Sequence, residues 1–126
     1  MTRKSIAVVA QWTARLTGAT QLVLGIAIWT GLAVSLILLH ISIGLLLLAS
    51  LWALTGLGLG RVAGWRLALA AAWGLLMVML GLSQANLLVG PAHWLVQVLH
   101  LVVGLAAVAQ AETLARGIRG WTRATS

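Results

Sequence analysis

Residues 39–49 read Leu-His-Ile-Ser-Ile-Gly-Leu-Leu-Leu-Leu-Ala, and residues 99–109 read Leu-His-Leu-Val-Val-Gly-Leu-Ala-Ala-Val-Ala. Both stretches follow one pattern: Leu-His, three residues, Gly-Leu, three residues and Ala. They lie in apolar surroundings, where an imidazole side chain is an exception. Because a polar ring in such surroundings needs a partner, the interpretation of the sequence starts from His40 and His100.

The composition indicates a membrane protein. Of the 126 residues, 62% are hydrophobic and 7% are charged, which leaves too little polar surface to cover a water-soluble core. The chain has no cysteine, which excludes disulfides and thiolate metal sites. Its net charge of +7 comes from basic residues at the ends of apolar runs, a pattern typical of membrane topology rather than of nucleic-acid binding.

The predicted fold is an all-α integral membrane protein, a four-transmembrane-helix bundle that forms a single domain over residues 1–126. The predicted spans are residues 12–30, 33–54, 62–85 and 91–116. Each has about 20 residues, enough to cross a hydrocarbon core of about 30 Å. Pro91 stands where the fourth helix should begin, a position that tolerates a missing backbone N–H.

The four spans repeat in pairs. Small residues of the first span recur 56 positions later in the third, and the histidine stretches of the second and fourth spans differ by 60. The first set is Ala14, Gly18, Gln21 and Gly25, and the second is Ala70, Gly74, Met77 and Gly81, with Met77 at the position of Gln21. This predicts two tandem helical hairpins related by a pseudo-twofold axis along the membrane normal. The alternative is a chance similarity within a chain rich in Leu, Ala and Gly.

The basic residues predict the orientation. They lie before or early in the first span, between the second and third spans, and after or at the end of the fourth: Arg3, Lys4, Arg15, Arg61, Arg66, Arg116, Arg119 and Arg123. The other two loops have none. By the positive-inside rule, both termini are expected to be cytoplasmic, and we expect a bacterial inner (plasma) membrane.

The two histidines are predicted to meet in the outer half of the membrane. The second and fourth spans run the same way, and both rings lie roughly 10 to 14 Å below the outer boundary at 1.5 Å per residue. Gly44 and Gly104 follow the histidines by one helical turn on the same face. These glycines serve either close helix packing or a clearance for a flat ring, and the pattern favours a planar macrocycle over a bare ion.

Two His-x-x-x-Gly motifs on different spans of a four-helix chain resemble the small four-helix membrane cytochromes of b type. The resemblance implies that haem b is the cofactor and that His40 and His100 are its axial metal ligands. It implies electron transfer or haem handling, so we expect a binding or electron-transfer protein rather than an enzyme. A chlorophyll-type pigment, copper or purely structural histidines remain the alternatives.

Other polar residues have two interpretations each. His93 lies seven residues before His100 on the same helix face, where it is an interfacial histidine or, with Gln97, a donor to haem propionates. Gln21 is expected to make an interhelical hydrogen bond or to contact a quinone. Glu112 precedes Arg116 by one turn and is predicted to pair with it.

Two further functions compete with haem binding. The chain is alternatively a structural or anchoring subunit that forms a homo-oligomer through its small-residue faces. A small transporter is the weaker alternative, because proton coupling needs a carboxylate inside the membrane and Glu112 is the chain's single acid. The expected partners are the lipid bilayer and a redox partner or quinone, with no nucleic acid.

Overall fold

The computed structural model describes the backbone of residues 2–124 and the side chains through residue 120. This range is helical and contains no β-strand. Its four α-helices are α1 (Arg3–Trp29), α2 (Ile37–Leu57), α3 (Gly64–Ser83) and α4 (His93–Ala124). Single 3-10 turns precede α2 at Val34–Leu36 and follow α3 at Gln84–Asn86. The predicted all-α fold is therefore confirmed.

The outer helices are longer than the hydropathy pattern predicts. The first helix begins at Arg3, well before residue 12, because the Thr2 side chain caps it by accepting a hydrogen bond of 3.2 Å from the Ser5 backbone N–H. The fourth continues beyond residue 116 to Ala124. Hydropathy marks the part of a helix that suits a hydrocarbon core, whereas the helix itself continues as long as its backbone bonds are made. Arg123, one of the basic residues from which the orientation was predicted, has a side chain outside the described range.

Three helical segments within the described residues are long and apolar enough to cross a membrane: Val34–Leu57, Gly64–Asn86 and His93–Gly120. These three segments are consistent with a membrane protein. α1 is not among them, because polar side chains such as Gln11, Arg15 and Gln21 lower its hydropathy.

The bundle is built around α2 and α4. These two helices contact each other, and α1 and α3 each pack against both. Many of the buried positions hold alanine, which lets the helices approach closely; these are Ala7, Ala10, Ala14, Ala70, Ala107, Ala111 and Ala115. Large apolar side chains instead cover the outside, as in Val23, which is 68% exposed, and Leu38, which is 78% exposed. An exterior of this kind suits contact with lipid rather than water.

The hydroxyl groups of the helices are satisfied without water. Eight of them donate to the carbonyl oxygen four residues earlier in their own helix; they belong to Thr13, Thr17, Thr20, Ser42, Ser50, Thr55, Ser83 and Thr113. Such local bonding is what a helix needs in surroundings that offer no water.

Candidate cofactor-binding site

A cavity of about 390 Å³ lies inside the bundle and is lined by all four helices. Its size falls within the range of small-molecule and cofactor sites. His40 of α2 and His100 of α4 face it from opposite helices, with ring centres 6.3 Å apart and ring planes inclined at 59°. The structure thus brings together the two histidines that the sequence singled out.

A glycine of a neighbouring helix lies behind each imidazole ring. A Cβ on Gly25 of α1 would lie 3.5 Å from His40 Cε1, which is ordinary contact. A Cβ on Gly81 of α3 would lie only 2.9 Å from His100 Cε1. A side chain at residue 81 would therefore displace the His100 ring from its present position.

The glycines one turn after the histidines have a different role. Both line the cavity, but a Cβ on Gly44 would lie 2.5 Å from Gln21 Nε2, whereas a Cβ on Gly104 would meet no atom within 4 Å. Gly44 makes room for the amide of Gln21, and Gly104 borders open space. The glycines that contact the imidazole rings themselves are Gly25 and Gly81, which the sequence interpretation did not assign to that role.

The contacts of the glycines recur at the offsets of the sequence repeat. Gly25 contacts His40 and Gly81 contacts His100. Two contacts between the hairpins follow the same offsets. A Cβ added to Gly18 would clash with Val108, and a Cβ added to Gly74 would clash with Leu48. In every case the glycines differ by 56 positions and their partners by 60.

Polar contacts between helices also recur at the offsets of 56 and 60. Trp52 Nε1 donates to the Ala71 carbonyl at 3.3 Å, which joins α2 to α3. At the equivalent positions, Arg15 Nε donates to Glu112 Oε1 at 2.5 Å, which joins α1 to α4. Different chemistry therefore holds equivalent helix pairs together.

Glu112 belongs to an interhelical cluster: Arg116 interacts with its charge, but its hydrogen-bond partners are residues of α1. Its carboxylate accepts hydrogen bonds from Arg15 on α1 and, at 2.6 Å, from Gln11 Nε2. Gln11, which is 3% exposed, in turn accepts from Arg119. Helical spacing identified one neighbour of Glu112, but the packing of α1 against α4 supplied its hydrogen-bond partners.

The cavity contains polar atoms that lack partners. Nδ1 of His40, Nδ1 of His100 and Oε1 of Gln21 are all buried without a hydrogen bond in the structure. Each belongs to a residue that lines the cavity. A buried polar atom without a partner is costly, so these side chains are polar groups whose hydrogen-bonding capacity the packing of the helices leaves unused.

Of the remaining predicted site residues, one lies at the cavity and one lies outside it. Gln97 lines the cavity, as does Gln84 in the turn after α3. His93 does not: its Nδ1 lies 3.0 Å from the Leu87 carbonyl oxygen and ties the start of α4 to the preceding loop.

The donor set and ring spacing fit a metal held within a macrocycle. Residues 2–120 contain no group of three or more His, Cys, Asp or Glu side chains that could hold a metal ion, so a bare copper ion would find only two imidazoles. A haem supplies four equatorial nitrogens itself and requires only two axial ligands from protein. His40 and His100, which line the cavity from opposite helices with ring centres 6.3 Å apart, would be the residues that hold such a group.

No protein-family model matches this chain, and neither a curated protein nor a solved structure is similar to it.

Proposed function

We propose that this chain is a membrane haem protein in which His40 and His100 supply both axial ligands to haem b. The observation that carries the proposal is the pair of imidazole rings 6.3 Å apart across a cavity, each with a glycine behind it. Two imidazole rings line a cavity that, among residues 2–120, has no further His, Cys, Asp or Glu in its wall, and two such ligands are what a haem requires from protein.

Each lining residue has a defined task in this proposal. The two histidines would hold the iron, and the amides of Gln84 and Gln97 would offer N–H donors to the carboxylates of the haem at the cavity end next to the α3–α4 loop. When bound, haem b supplies one-electron redox chemistry. Because both axial positions are taken by protein, the site suits electron transfer or haem handling rather than the activation of oxygen.

The proposal includes α1 as a fourth span. Its 27 residues extend about 40 Å, and the helix packs against α2 and α4. Arg15, the charge farthest inside it, is neutralised by Glu112. In the sequence, the basic residues then fall at one end of two tandem hairpins, and by the positive-inside rule we propose that both termini are cytoplasmic and that the membrane is a bacterial inner membrane.

The transporter alternative receives less support. Glu112 is the chain's single acid, and its carboxylate is bound to Arg15 and Gln11. Proton coupling needs a carboxylate that is free to exchange its proton inside the membrane.

The visible spectrum of the purified protein tests the proposal. The protein, expressed in haem-replete cells and purified in detergent, should show a b-type spectrum that changes on reduction with dithionite. His40→Ala and His100→Ala should each abolish the bis-histidine spectrum, whereas His93→Ala, which removes a histidine outside the cavity, should preserve it. A colourless wild-type protein, or an oligomer without bound haem, would contradict the proposal and favour a structural subunit.

A further inference from the structure

A second groove lies at the opposite end of α3 from the Gln84 turn. It has a volume of about 210 Å³ and opens between α3 and α4. Its polar lining consists of Arg66 from the first turn of α3 together with Gln110 and Thr113 from α4. Trp65 and Leu69 form its apolar edge and are 65% and 45% exposed. The groove therefore combines a cation, hydrogen-bonding groups and an exposed apolar wall.

The positive charge of this groove has no acid beside it. The Arg66 guanidinium is exposed and lies over the Trp65 ring, 5.3 Å from its centre. Arg61, in the preceding loop, has a buried Nε without a hydrogen-bond partner. The carboxylate of Glu112, the only acid in the sequence, is bonded to Arg15 and Gln11 on α1. An anion is the ligand that this charge distribution favours.

The polar lining is not required by the helix packing. At the offsets of 56 and 60, its polar residues Arg66, Gln110 and Thr113 correspond to Ala10, Ser50 and Ala53 of the first hairpin. Ala10 and Ser50 are buried there, so small side chains close the equivalent position. The second hairpin instead has a longer polar side chain at each of these positions, which indicates a role beyond packing.

Gln110 adds a second recognition element. Its Oε1 is buried without a partner and can accept a hydrogen bond from a ligand. We infer that this groove binds the headgroup of an anionic phospholipid, with Arg66 on the phosphate and Gln110 accepting from a headgroup hydroxyl. The exposed edge of Trp65 and Leu69 favours a lipid over free phosphate, because an acyl chain can lie along it.

Native mass spectrometry of the delipidated full chain in detergent tests this assignment. With added phosphatidylglycerol, the wild-type protein should bind one lipid, and Arg66→Gln should bind it about fivefold to tenfold more weakly. Arg3→Gln is the matched control, because it removes the same charge at an exposed position in the first turn of α1. Equal weakening by both variants would overturn the site and leave only a general charge effect.

Two further arms separate the sources of the phosphate. Gln110→Leu should reduce the preference for phosphatidylglycerol over phosphatidic acid, whose headgroup lacks the glycerol hydroxyls, and an unchanged preference would overturn the role of Gln110. Excess inorganic phosphate should not displace the lipid, and displacement would overturn the lipid assignment in favour of a simple anion site. Unchanged thermal melting of Arg66→Gln would show that weaker binding does not arise from unfolding.

Discussion

Gly81→Ala should weaken haem binding without unfolding the bundle. The added methyl would lie 2.9 Å from His100 Cε1, whereas carbon atoms in favourable contact are about 3.5 Å apart or more. The ring must therefore move by about 0.6 Å, the difference between these two distances. Without a ligand it can move into the cavity. In the proposed haem-bound state, binding to the iron would hold the ring in place and prevent this movement.

The expected size of the effect follows from overpacking. Forcing an extra methyl into a fitted site costs about 1–3 kcal/mol, which corresponds to roughly fivefold to 150-fold weaker haem binding. In the apoprotein, the gain in helix propensity of about 1 kcal/mol offsets part of the strain. Gly25→Ala is the matched control, because its methyl would lie at an ordinary 3.5 Å from His40 Cε1.

Haem titration of the two apoproteins, followed by the visible spectrum, measures this difference, and thermal melting reports the stability of each apoprotein. Gly81→Ala should bind more weakly than Gly25→Ala at similar melting temperatures. Equal haem affinity of the two variants would refute the reasoning, since the position of the His100 ring would then have no part in binding.

Three further substitutions test other contacts. Gly104→Ala adds a methyl that projects into open space at the cavity wall, so it should lower haem affinity with no loss of apoprotein stability. Gly56→Ala also adds a methyl to open space, but outside the cavity, and should leave haem affinity unchanged in the same titration. Trp73→Phe removes the indole donor to the Val103 carbonyl, a bond of 2.9 Å, and should cost about 1 kcal/mol of stability by thermal melting, while Trp94→Phe at an exposed site should not. Glu112→Ala should lower the melting temperature more than Glu112→Gln, which keeps a side chain able to bond Gln11 and Arg15.

The sequence was sufficient to predict the helices and the meeting of the two histidines. Apolar runs of about 20 residues indicate helices, and two equivalent runs of the same direction place His40 and His100 at similar depth. The polarity of α1 was the weaker part of this prediction. Arg15 and Gln21 lower the hydropathy of α1, which is not among the three segments apolar enough to cross a membrane, so the proposal of a fourth span rests on packing rather than on composition.

The neighbours of each side chain could not be predicted, because they depend on how the helices are rotated against one another. Helical spacing places Gly44 and Gly104 on the faces of the histidines, yet the glycines that contact the rings are Gly25 and Gly81, on other helices. An apolar membrane helix has hydrophobic residues on every side, so its hydrophobic pattern does not identify the face that packs inward. Small residues indicate where a helix packs closely, but they do not show which helix it packs against.

The two hairpins contribute some cavity-lining residues in equivalent pairs, whereas other lining residues occur in one hairpin alone. The residues shared by both halves surround its centre: Gly25 with Gly81, His40 with His100 and Gly44 with Gly104. The polar residues are not shared, since Gln21 corresponds to Met77, Gln84 to Ile28 and Gln97 to Ile37. A ligand with a symmetric flat centre and a polar group at one edge would use both sets. Haem b has this form, with its metal at the centre of the ring and its carboxylates along one side. The repeat therefore explains the paired histidines, and the departures from it at Gln84 and Gln97 give the cavity a polar end in the second hairpin alone.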